Sequence, residues 1–270
     1  MTVSPTEALP ADRESLLKYH PMSGSIRAAT FAVVDVETTG TDPSIDAVVE
    51  VAVLRMRGGK TIDRFSSLVN PGRPIPARAA AIHHISDEMV AEKPTLVELT
   101  PILRERTDDS VIVAHNAPFD LGFLPMLAGR PAVCTLRLAR HLVPELPTFR
   151  LQALRDSLHL PSASSPADAH RAFADTDLTA TLFLELLARY SERCRGSDDL
   201  DALIALSAAP ITYRSFPFGK HRNVSLDAVP PDYLEWILRT ENPPFDRDIR
   251  YSAEAELARR RAVDPLVHTT

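Results

Sequence analysis

The sequence predicts an α/β fold, a mixed β-sheet flanked by helices, followed by a small α+β C-terminal unit. Three observations predict it. Three apolar strands come first, short apolar runs then alternate with helical segments, and the pattern restarts on a smaller scale after a polar stretch near residue 200. At 270 residues the chain has room for a core domain and a small second module.

Residues 1–29 mix Pro, Ser, Thr and Ala and read as a flexible leader. Residues 31–36 are nearly all apolar, as expected of a strand covered on both faces. A second strand over 46–56, a turn at Arg57-Gly58-Gly59-Lys60 and a third strand over 61–69 make a hairpin. Pro71, Pro74 and Pro76 end that excursion; residues 86–88 open a short helical turn, and 95–106 has helical spacing of Leu96, Leu99 and Leu103. Strands over 111–114 and 132–134 alternate with helices over 117–127, 136–142 and 150–158. A long helix over 171–190 places Leu178, Leu182 and Leu186 on one face, closing a first domain over 30–190. Residues 191–209 read as a linker. The second domain, 210–262, is expected to hold strands at 213–218 and 224–229 and helices at 233–239 and 252–261, with little core of its own, before a tail at 263–270.

The net charge of −6 excludes a polybasic tail, so any contact with nucleic acid must be local. Cys134 and Cys194 are far apart and form no CxxC, which argues against a disulfide framework or zinc knuckle and suits a reducing compartment. The N-terminus has acids and no apolar signal segment, and no apolar run reaches the ~18 residues of a membrane helix. A cytoplasmic protein without membrane contact is expected.

Asp35-Val36-Glu37 closes the first strand. Residues i and i+2 of a strand share a face about 7 Å apart, and two desolvated acids there repel. Taken alone, the pair reads as a solvated strand end. Thr38-Thr39-Gly40 follows it, with small side chains and a glycine against which a ligand can press. A third acid, Asp120, ends His115-Asn116-Ala117-Pro118-Phe119-Asp120, and a fourth, Asp175, ends His170-Arg171-Ala172-Phe173-Ala174-Asp175. Each of these two also suits the first turn of a helix, where an acid answers the helix dipole. His170 and Asp175 would diverge by about 140° on one helix, so the histidine is expected on the preceding loop.

The ordered set resembles the DEDDh (DnaQ-like) 3′–5′ exonucleases over residues 30–190, and within them the exodeoxyribonuclease X type. Ala81-Ile82-His83-His84-Ile85-Ser86 and Cys134-Thr135-Leu136-Arg137-Leu138-Ala139-Arg140 resemble further stretches of that type. Phe216-Pro217-Phe218-Gly219-Lys220-His221-Arg222 and Pro231-Asp232-Tyr233-Leu234-Glu235-Trp236 resemble its small C-terminal domain, with Asn223 at a turn position often held by glycine.

The resemblance implies an RNase H-like sheet and two-metal hydrolysis of phosphodiester bonds at DNA 3′ ends, releasing nucleoside 5′-monophosphates in DNA repair or degradation. An RNA 3′-end exoribonuclease and a proofreading or docking subunit of a DNA polymerase are the alternatives. Four carboxylates at one point call for a cation, and all-oxygen ligands favour two Mg²⁺ or Mn²⁺ ions held by Asp35, Glu37, Asp120 and Asp175. His170 would be the general base. Thr38, Thr39 and Gly40 would line the terminal nucleotide through backbone amides, and His115 and Asn116 would order the loop presenting Asp120 beside the substrate. Single-stranded DNA 3′ ends are the expected partner. Lys220 and Arg222, in a basic turn with no acid over 210–222, are either a solvated hairpin tip or a phosphate contact.

Overall fold

A computed structural model describes residues 24–161, 171–241 and 245–263. The chain divides into two compact units, Met1–Ala208 and Ala209–Thr270. In the first, β1 (Thr30–Thr38), β2 (Val48–Arg57), β3 (Lys60–Leu68), β4 (Val111–Ala114) and β5 (Ala132–Cys134) form one sheet in the order β3-β2-β1-β4-β5. The β3-β2-β1 meander is antiparallel, and β1-β4 and β4-β5 are parallel. Gly58 and Gly59, at φ 55° and 76°, supply the two left-handed positions of the β2–β3 turn.

Helices cover both faces of this mixed sheet, as the sequence predicts. On one face Phe31, Val33, Leu54, Val113 and Val133 meet α6 (Thr135–Leu142), α7 (Leu151–Ser157) and α8 (Ala172–Arg193), whose Leu178, Leu182 and Leu186 form the expected apolar stripe. On the other, Ala32, Val34, Val36, Val51, Val53 and Ile112 meet Leu99 and Leu103 of α4 (Leu96–Thr107) and Ala117 and Phe123 of α5 (Ala117–Phe123). Short helices α1 (Gly24–Ala28), α2 (Ala77–His83) and α3 (Asp87–Val90) complete the connections. Thr95 and Glu98 cap α4 reciprocally.

Three boundaries differ from the sequence reading. The expected leader, 1–29, includes α1, whose Ile26 is buried in the sheet's core; residues 1–23 lie outside the described set. The expected linker, 191–209, instead holds the end of α8 and a further helix, α9 (Leu200–Ala208), which buries Leu203 in the same core. The second unit is chiefly helical. Residues 213–218 and 224–229 share one antiparallel bridge, Ser215–Ser225, where two strands were expected. Its own core joins Phe216, Leu226, Val229, Leu234, Ile237, Ile249, Ala253 and Leu257 across α10 (Pro231–Arg239) and α11 (Arg247–Val263). Asn223 takes the left-handed turn position at φ 65°. The tail beyond Val263 lies outside the described residues. Among those residues no helix is long and apolar enough to cross a membrane.

Candidate active site

Alternate residues of β1 face opposite sides of the sheet. Phe31 and Val33 enter the core beneath α8, and Asp35 and Glu37 continue that row at the carboxyl end of the strand. Ligands of open α/β sheets collect at such strand ends. α8 carries Asp175 in its first turn, one turn ahead of the buried Leu178. One carboxylate oxygen each from Asp35, Glu37 and Asp175 lies within 4.8 Å of the others. Asp120, buried in the first turn of α5 after β4, lies outside that group of three. Its Oδ1 accepts the Val36 N–H at 3.2 Å, on the backbone between the two strand acids. The β1–β2 register slips between Glu37 and Thr38, a bulge that ends the ladder beside the acids.

Three further residues shape this cluster, and the sequence reading missed them. Gln152 Nε2 donates to Asp175 Oδ1 at 2.9 Å. Glu50, opposite Glu37 on β2, is buried and accepts from Arg171 Nε at 3.1 Å, Arg171 Nη2 at 2.9 Å and the Ala172 N–H at 2.9 Å. That network ties the start of α8 to β2. An acid inside the apolar run Val48–Leu54 was the available signal for Glu50, since a buried carboxylate must find a partner. Gln152 gave none.

Burial is the first cause of the electrostatic strain and mutual repulsion the second. Burial raises the Asp35 carboxyl well above the usual range, and Asp120, Asp175, Glu37 and Glu50 raise it further. Glu37 is pushed up to about 8 by burial, then by Asp175, Glu50 and Asp120, with Arg171 pulling the other way. Burial also raises Asp120, against hydrogen bonds from its own N–H and that of Val36. Two charges 4.8 Å apart repel by about 3.5 kcal/mol at an effective dielectric of about 20. An all-oxygen donor set that costs energy when charged and empty fits a hard divalent cation.

The flanking residues divide. Thr39 Oγ1 donates to Asp46 Oδ1 and accepts the Ala47 N–H, and the Thr39 N–H donates to Ala47 O. Thr38 Oγ1 donates to Gly40 O. The expected Thr39 amide contact is thus already committed, and this residue shapes the loop. A Cβ on Gly40 would meet Asp46 Oδ2 at 2.3 Å. His115 is also committed, with Nδ1 3.0 Å from Thr135 Oγ1 and Nε2 2.9 Å from Phe149 O, and burial lowers its pKa to about 4. Both ring nitrogens thus meet groups of the chain itself, and the ring braces the segment that leads to Asp120. Asn116 is exposed at φ 72°, at the N-cap of the helix that presents Asp120. Lys220 and Arg222 are exposed in the second unit. His170 lies outside the described residues.

A strand-end acid pair, a helix acid beside it and a fourth acid beyond the parallel neighbour make an acidic centre suited to divalent metal. A family model for exonucleases, RNase_T, matches residues 32–183, and the chain belongs to that family. The DNA polymerase III PolC-type of Bacillus subtilis is 34% identical over 186 residues, 66% of this chain and 13% of that protein. A DNA polymerase III subunit epsilon-like protein of Rhodobacter capsulatus is 38% identical over 175 residues, 61% of this chain and 24% of that protein. The chain therefore spans a minor part of these relatives. Exonuclease X, solved with 5′ overhanging duplex DNA, superposes with a TM-score of 0.56 at 31% identity, covering 66% of this chain and 99% of that one. The nuclease domain of 3′hExo, a DEDDh member bound to rAMP, shares the fold at 12% identity and a TM-score of 0.52, over 61% of this chain and 94% of that one.

Proposed function

We propose that this protein is a 3′–5′ exodeoxyribonuclease that removes nucleoside 5′-monophosphates from single-stranded DNA 3′ ends. The convergence of Asp35, Glu37 and Asp175 within 4.8 Å, with Asp120 bonded to the Val36 N–H between the two strand acids, carries the reading. Asp35, Glu37 and Asp175 would hold one Mg²⁺ or Mn²⁺, and Asp35 with Asp120 a second. Divalent ions there supply Lewis-acid activation of water and of the phosphodiester. Gln152 holds the Asp175 carboxylate through Oδ1. Glu50 and Arg171 hold the head of α8 against β2, which sets the Asp175 position. His170, next to Arg171 in the chain, takes the proton of the attacking water. Gly40 and the exposed Asn116 flank the terminal nucleotide, and Lys220 and Arg222 contact phosphate.

A second reading, the same activity inside a DNA polymerase assembly, is favoured by the identity to the PolC-type and epsilon-like proteins. End-labelled DNA and RNA oligomers of matched sequence, digested with Mg²⁺ or with EDTA, test the main reading. Loss of mononucleotides from DNA 3′ ends with Mg²⁺ alone is expected. Removal from 5′ ends, a preference for RNA or activity in EDTA overturns it. Co-elution with DNA polymerase III on gel filtration tests the second.

A further inference from the structure

The second unit carries a connected set of aromatic rings that reaches from its core to the surface. Phe216 is buried at the base, in edge contact with Phe218 at 5.1 Å and Tyr233 at 5.6 Å. From there the rings run outward. Phe218 stacks on Phe245 at 6.0 Å and 7°, Phe245 meets the edge of Trp236 at 5.3 Å, and Trp236 leans on Tyr233 at 5.2 Å. Phe218 is 39% exposed and Trp236, the chain's single tryptophan, 46%. Lys220 Nζ stands 4.7 Å above the Tyr233 ring, and the exposed Arg222 belongs to the same turn.

A small unit leaves some apolar surface in water in any case. Overspill of that kind is scattered, whereas these rings are contiguous and one of them, Tyr233, carries a cation over its face. Flat rings with adjacent cations meet the two faces of a single nucleic-acid strand, because bases stack on rings and phosphates pair with Lys and Arg. A folded duplex hides its base faces, and an apolar peptide gains nothing from the lysine. Asp232, one turn ahead of Trp236 on α10, and Glu235, paired with Arg239 at 3.8 Å, limit the positive charge. Stacking therefore carries the affinity.

We infer that Phe218, Trp236 and Phe245, with Lys220, form a base-stacking surface for single-stranded nucleic acid on the second unit. The inference rests on the proposed nuclease function for its purpose, because a strand held there stays at high effective concentration near the exonuclease unit of the same chain. Stacking tolerates any base, so the surface adds affinity without sequence preference.

Trp236 is its own reporter. The full-length protein in EDTA, titrated with an oligothymidylate of about twenty residues, should show quenched tryptophan emission, with a log–log salt slope no steeper than about −2. W236A and F218A should each weaken that binding about tenfold by anisotropy, and W236F should restore most of it. With Mg²⁺, the ratio of kcat/KM for the oligomer to that for the p-nitrophenyl ester of thymidine 5′-monophosphate should fall about tenfold in both variants. Unchanged emission at saturating oligomer, or parental affinity in both alanine variants, overturns the assignment. Self-association that W236A abolishes, with oligomer affinity intact, overturns it in favour of contact between copies. Failure of the parent to hydrolyse ester and oligomer refutes the nuclease reading, while the emission titration still decides the stacking surface.

Discussion

Replacing Glu37 with glutamine should make the metal-free protein more stable, and the gain should depend on pH. Burial and three neighbouring acids push the Glu37 carboxyl up to about 8. A carboxyl whose folded pKa is raised stabilises the fold fully below its unfolded pKa, near 4.5, and that contribution is lost as pH rises through about 8. Holding the folded chain at about pH 7 then costs about 3 kcal/mol through this one group, against about 1 kcal/mol at about pH 5. Glutamine keeps the shape and removes the titration. In EDTA, E37Q should melt roughly 6–12 °C above the parent at about pH 7, and only roughly 2–4 °C above it at about pH 5. Mg²⁺ should narrow or reverse the gap, because it binds the folded parent more tightly than the variant. Calorimetric melts of both proteins at the two pH values, with and without Mg²⁺, make the comparison. A parent as stable as E37Q in EDTA at about pH 7, or an equal gain at both pH values, refutes the account of a strained acidic cluster.

Three other outcomes are expected. H170A should bind Mn²⁺ like the parent by calorimetric titration but lose at least about 10²-fold in kcat on a DNA oligomer; near-parental turnover around neutral pH removes His170 from the mechanism. G40A must displace the Asp46 carboxylate from Thr39 Oγ1 and the Asp42 N–H, costing about 1–2 kcal/mol in denaturant melts and raising KM; an unaltered KM shows that the loop does not reach substrate. E50A should cost roughly 2 kcal/mol, less than a fully buried pair because Arg171 is partly solvated, and lower kcat more than its effect on KM. Parental kcat in E50A shows that the start of α8 needs no such anchor.

The acid pair was legible because strand alternation is a rigid rule: once 31–36 reads as a strand, Asp35 and Glu37 must share a face. Asp175 was legible as the acid that ends His170-Arg171-Ala172-Phe173-Ala174-Asp175 at the head of a long helix, the last of an ordered set. The loop residues were less so. His115 and Thr39 carry polar groups that suit a ligand, yet in the fold other parts of the chain take up those groups. Helix 200–208 escaped notice because it follows Gly196 and the polar stretch Ser197-Asp198-Asp199, although seven of its nine residues are apolar and Leu203 is buried. In the second unit, apolar residues around 213–229 suggested a ladder, but Pro217 has no N–H to donate and Gly219 turns left-handed at φ 64°, which leaves a single bridge.

The odd-numbered row of β1 runs without interruption from Phe31 and Val33 to Asp35 and Glu37. Packing and chemistry therefore share one parity. Inserting a single residue after Val33 would rotate both acids to the opposite side while leaving the hydrophobic anchors in place, so the reactive end cannot drift by small steps. Change in this part of the molecule has to come in pairs of residues or by substitution in place.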